Sequence, residues 1–174
     1  MNADFIAHID SDSIFCKDVN PSDLIKDGKS TIYYHPYSSY APGAAELWWK
    51  PQVERALKID PQAECMQHMP LVYKRNLYRS VRDRIEETNF IPVNEFCISQ
   101  KPDPLWGLTE FNTLGAWAMY AHKDEYNFID LSNKENKADK IVHQSWSQTL
   151  HQPGLQDKHR EQIEQINIIL GETD

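Results

Sequence analysis

Phe5-Ile6-Ala7-His8-Ile9-Asp10-Ser11-Asp12-Ser13 is a short apolar run that stops on an acidic cluster. A run of this length bounded by charge reads as a buried strand, with Asp10 and Asp12 at its carboxy end. If the backbone stays extended the two carboxylates share a face, and if it turns they converge. Either geometry presents hard oxygen ligands to one divalent cation. In open α/β sheets ligands bind at the carboxy ends of strands, which is where this pair lies. Two acids and a serine after a strand also make a plain solvated turn, and the triplet alone does not choose between the two.

Outward from this segment, strands and helices alternate. Ser30 to His35 is rich in β-formers and reads as a second strand closed by Pro36, with a loop to Gly43. Pro51 suits the first turn of a helix whose apolar face is Val53, Ala56 and Leu57, ending before Asp60-Pro61. Leu77, Val81 and Ile85 give helical spacing to the stretch from Tyr73 to Glu87. Thr109 is the expected N-cap of a helix striped by Phe111, Leu114, Ala118 and Ala121. Tyr126 to Leu131 reads as a further strand, and Gln156 to Leu170 as a last amphipathic helix stopped by Gly171. The alternation predicts one α/β domain over residues 1–174.

Composition narrows the function. The 174 residues carry 18 Lys+Arg against 26 Asp+Glu, a net charge of -8 that argues against a nucleic-acid partner held by phosphate contacts. No stretch approaches the roughly 20 apolar residues that span a bilayer. Cys16, Cys65 and Cys97 lack CxxC spacing and the start has no secretory leader pattern, so the expected setting is the reducing cytoplasm. Neither GxGxxG nor GxxxxGK[ST] occurs, which excludes Rossmann dehydrogenases and P-loop kinases, and there is no Gly-x-Ser-x-Gly elbow.

FIAHIDSDSIF (5–15), TIYYHPY (31–37), LWWKPQVERAL (47–57), MPLVYKRNLYRSV (69–81) and WGLTEFNTLGAWA (106–118) occur in that order. The series resembles DxD-containing, poorly characterised proteins of the GT-A glycosyltransferase type across most of the chain. The resemblance implies a GT-A-like mixed sheet flanked by helices, lacking the N-terminal nucleotide-binding half, and so short by about one βαβ unit. It implies transfer of a sugar from a nucleotide-diphospho-sugar donor to the hydroxyl of a glycan or other acceptor. Asp10 and Asp12 would hold Mn²⁺ or Mg²⁺, with Asp10 also able to touch the ribose. A late histidine is implied as third metal ligand, and His143, which follows the apolar pair Ile141-Val142, is preferred to His151. Glu110 is implied as the base.

The residues themselves bear on these roles. The helix macrodipole favours an ionised Glu110 in a first turn, but acids are enriched there for helix stability alone. Trp106, beside Gly107 in a Pro-flanked loop, is a natural platform for a sugar ring. His35 and His68 adjoin apolar segments, where a lone histidine is more often structural than substrate-binding; His35 is kept as a substrate contact. Trp48, Trp49 and Trp117 read as core or half-buried packing. Arg75, Arg79 and Arg82 line one helix face, able to reach an anionic donor but more simply a solvated surface. Two rival readings use the same chain: a haloacid-dehalogenase-like phosphatase with Asp10 as nucleophile and Asp12 as acid/base, and a non-catalytic remnant that binds a sugar or partner.

Overall fold

The expected first strand forms: β1 spans Phe5–His8 and pairs antiparallel with β6, Leu71–Lys74, in the register Phe5↔Lys74 to His8↔Leu71. The computed structural model describes residues 3–10, 13–66, 68–100, 107–138 and 141–144. β1 is half-buried rather than buried, because β6 covers only one of its edges among the described residues. β6 is buried on both faces, with Leu71, Val72 and Tyr73 all in the core. The helix expected from Tyr73 therefore starts two residues later, as α3, Arg75–Asn89, burying Leu77, Val81 and Ile85.

β4, Lys29–Pro36, alternates buried Ser30 and Ile32 with half-buried neighbours, the period of a strand lying over a core. Its partner β3, Ile25–Lys26, folds back through Asp27-Gly28. Both turn residues have positive φ, 52° and 72°, the conformation of a two-residue hairpin turn that Asp-Gly favours. β4 then pairs antiparallel with β5, Ala63–Glu64, and parallel with β7, Asn127–Asp130. The Ser30 hydroxyl donates to the Val72 carbonyl at 2.7 Å, tying β4 to β6. The architecture is thus mixed α/β, with one parallel ladder among antiparallel ones. A third sheet joins β2, Ser13–Phe15, to β8, Val142–Gln144.

The helices pack on these strands. α1 is the single turn Pro21–Leu24, and α2, Lys50–Leu57, buries Val53, Ala56 and Leu57 before stopping at Lys58 in the left-handed region. α4, Val93–Ser99, which sequence spacing did not announce, is anchored by buried Phe96. α5, Glu110–Ala121, follows Thr109 as expected and is buried at Asn112, Thr113, Leu114, Gly115, Ala116 and Ala118. Burial on so many positions leaves Ala121 exposed and makes α5 a central helix rather than an amphipathic cover. Trp48 is 50% exposed, against the packing role expected of it, while Trp49 and Trp117 are half-buried. Arg75, Arg79 and Arg82 form the solvated face. The helix expected over 156–170 lies outside the described residues. Among the described residues no helix is long and apolar enough to cross a membrane.

Candidate functional site at the end of β1

Past His8 the chain leaves the sheet, and the Ser13 N–H donates to the Asp10 carbonyl at 3.1 Å as it enters β2. The β2–β8 register sets His143 opposite Ile14, two positions beyond Asp12 in sequence. The histidine preferred for its apolar neighbours is therefore on the strand that pairs directly with the segment following the acidic cluster. Its side chain, like Asp12 and Trp106, lies outside the described residues. Asp10 is half-buried.

His8 connects this strand end to two helices. Its ring centroid is 5.4 Å from that of Phe111, in the first turn of α5, and 5.6 Å from that of Tyr78 on α3. Its Nε2 is hydrogen-bonded to the Tyr78 hydroxyl. Burial lowers the His8 pKa, and the Glu110 carboxylate partly offsets this. Burial pushes the Tyr78 phenol up to about 12, with the neighbouring Tyr126 adding to the shift. A phenol that keeps its proton matches a neutral imidazole accepting at Nε2. Glu110, exposed at the first position of α5, is thus within electrostatic reach of the His8 that precedes Asp10 by two residues. Gly107 is half-buried in the approach to that helix.

The remaining candidates lie elsewhere. His35 stands opposite Glu64 in the β4–β5 ladder, and its ring packs 5.8 Å from that of Tyr40. That cluster surrounds the fully buried Glu64, which accepts from the Met66 N–H at 2.7 Å and the Tyr40 hydroxyl at 3.4 Å. Arg75 and Arg79 line a cleft of about 900 Å³ with Asp4 and Phe5, at the amino end of β1. Asp10 is not among the residues that line this cleft. Among the described residues no group of three or more His, Cys, Asp and Glu side chains converges on a metal position.

Residues 1–161 match the model of a family of unknown function, DUF6492. The chain belongs to the DUF6492 family. No curated protein and no solved structure matches it. In this DUF6492 chain the sequence reading missed His8, Tyr78 and Phe111 as neighbours of the acidic segment. The available signal was period two: in an extended run His8 and Asp10 share a side. Nothing local announces that Tyr78, 70 residues away, closes on the same ring.

Proposed function

We propose that this DUF6492 protein is a metal-dependent, GT-A-like glycosyltransferase, or the catalytic half of one, using a nucleotide-diphospho-sugar donor and a hydroxyl acceptor. The observation that carries the reading is the meeting of the Asp10 strand end with the first turn of α5, through His8 against Phe111 and Glu110. Two carboxylates and an imidazole from Asp10, Asp12 and His143 form a donor set that suits Mn²⁺ or Mg²⁺, and the β2–β8 pairing supports their grouping. A bound cation supplies charge neutralisation at the leaving diphosphate.

The protein's own residues would do the rest. Glu110 takes the proton of the acceptor hydroxyl as its oxygen bonds to the anomeric carbon and the bond to the diphosphate oxygen breaks. The α5 dipole favours the ionised carboxylate that this requires. Trp106 and Gly107, just before α5, offer a face to the sugar, and Asp10 can also reach the ribose. The reading is of a cytoplasmic enzyme, supported by the free thiols of Cys16, Cys65 and Cys97.

Calorimetric titration of Mn²⁺ into wild type and Asp12→Ala tests the metal; equal affinities would remove the aspartates as ligands. Thermal shift with UDP or GDP and Mn²⁺ then separates the classes. Stabilisation supports transfer, and hydrolysis of a generic phosphate ester with Mg²⁺ moves the assignment to the phosphatase. If neither is seen, the non-catalytic remnant is the reading that stands. Glu110→Gln should abolish transfer and keep donor binding, whereas retained turnover excludes it as the base.

A further inference from the structure

A second cluster of reactive side chains lies just past the other end of α5. Ser80 Oγ is 2.9 Å from His122 Nε2, and His122 Nδ1 is 2.8 Å from Glu125 Oε1. Glu125 also accepts from Lys74 Nζ at 3.1 Å, and these two partners hold its carboxyl below the usual value. A carboxylate only accepts, so Nδ1 carries a proton, and in the neutral tautomer this leaves Nε2 as the acceptor facing Ser80. The Trp117 indole N–H donates to Ser80 Oγ at 2.8 Å. An indole has no acceptor, so the serine's own proton is free to point at His122.

These are the relations of an activated serine: a nucleophile bonded to a base, and the base oriented by a carboxylate. Ser80 and His122 open on a cleft of about 670 Å³, lined also by Asn76, Arg79 and Arg84 and by the carboxylates of Asp83, Glu86 and Glu87. Asn76 is one turn before Ser80 and Arg84 one turn after, so donors flank the hydroxyl on its own helix face. The Arg84 guanidinium lies 5.3 Å above the Trp117 ring, which also stacks on Tyr120 at 5.5 Å, and Arg84 Nε donates to the Leu57 carbonyl at 2.9 Å, so Arg84 is held beside Ser80. Ser80 is about 200° round α3 from Tyr78, and His122 is about 18 Å along α5 from Glu110. The cluster is separate from the site at the end of β1.

We propose that Ser80, His122 and Glu125 form an acyl-transfer site for carboxylic esters. Ser80 Oγ bonds to the acyl carbon while its proton passes to His122 Nε2. The bond to the ester oxygen breaks, and the alcohol leaves with that proton. A water molecule, giving its proton to the same nitrogen, attacks the acyl-serine; the carboxylic acid departs and Ser80 recovers its proton. Asn76 and Arg84 donate to the acyl oxygen, and Glu125 keeps the imidazole in the required tautomer.

The test uses the full chain and a fluorophosphonate probe, with the adduct mapped by peptide mass spectrometry. The expected result is a single adduct on Ser80 of wild type; no adduct, or an adduct elsewhere, overturns the proposal without needing any variant to fold. His122→Gln should slow labelling by about 100-fold or more, the contribution of a general base, and an unchanged rate removes it from that role. Glu125→Gln should slow labelling and Glu125→Asp recover part of the rate; equal rates in both show that the carboxylate does not orient the base. Hydrolysis of p-nitrophenyl acetate should disappear in Ser80→Ala, and persistence at the wild-type rate contradicts the assignment.

Discussion

Replacing Gly115 by alanine should destabilise the protein although alanine is the better helix former. Gly115 is buried in the middle of α5. A Cβ there would lie 2.3 Å from the Cys65 Cβ, 2.8 Å from its Sγ and 3.4 Å from the Tyr73 hydroxyl. Neither neighbour has room to retreat, since Cys65 and Tyr73 are both fully buried. Cys65 is moreover held by its N–H, which donates to Asn112 Oδ1 at 2.8 Å. Alanine gains up to about 1 kcal/mol in helix propensity. Overpacking a closed core costs about 1–3 kcal/mol, and with both neighbours fully buried the upper part of that range applies, so the expected net loss is up to about 2 kcal/mol. In a chain of this size that lowers the thermal midpoint by up to about 8 °C. Calorimetric melts of the four species in the cycle Gly115→Ala with Cys65→Gly isolate the contact, because Cys65→Gly removes both close atoms. Gly115→Ala should be neutral or stabilising in that background. A raised midpoint in the single variant, or an undiminished penalty in the double, would refute the close approach of α5 to the segment following β5.

Asn112 is fully buried, and Asn112→Ala leaves the Cys65 N–H without its acceptor; urea unfolding should show a loss of about 1–3 kcal/mol with an unchanged slope. For Glu125 the folded carboxyl is held below its usual 4.5 by His122 and Lys74. Its stabilising contribution is therefore present above pH 4.5 and lost as pH falls through the lower folded value. The difference in midpoint between wild type and Glu125→Gln should accordingly shrink below that pH; a constant difference down to acid contradicts the ion-pair geometry.

β1, β4 and β7 were legible as short runs of apolar and β-forming residues, and α2, α3 and α5 as apolar stripes at helical spacing. β6 was hidden by its neighbour. Leu71, Val72 and Tyr73 form a continuous apolar run that merges into the Leu77, Val81, Ile85 stripe of α3, and a strand buried on both faces has no alternation to mark it. α4 has a single buried anchor, Phe96, too little for a stripe. The direction of pairing was not legible either: the carboxy-end rule applied to Asp10 belongs to parallel sheets, whereas β1 is antiparallel to β6. Asp10 and Glu110 were visible from their local places, at a strand end and in a first turn. Ser80, His122 and Glu125 were not, because a serine inside a helix and a histidine 42 residues later share no local signature.

The two proposed sites nevertheless depend on one element. α5 begins at Glu110, ends one residue before His122, and is pinned between them where Gly115 meets Cys65. A helix is stiff over this length, so a shift forced at Gly115 is carried to both ends together. Displacements near 1 Å are enough to cost about 100-fold in a reaction that relies on positioning. Ser80 and Tyr78, by contrast, belong to α3 and stay where its buried stripe holds them. The Gly115 contact therefore sets two distances at once: His122 to Ser80 on one flank of α3, and Phe111 to His8 on the other.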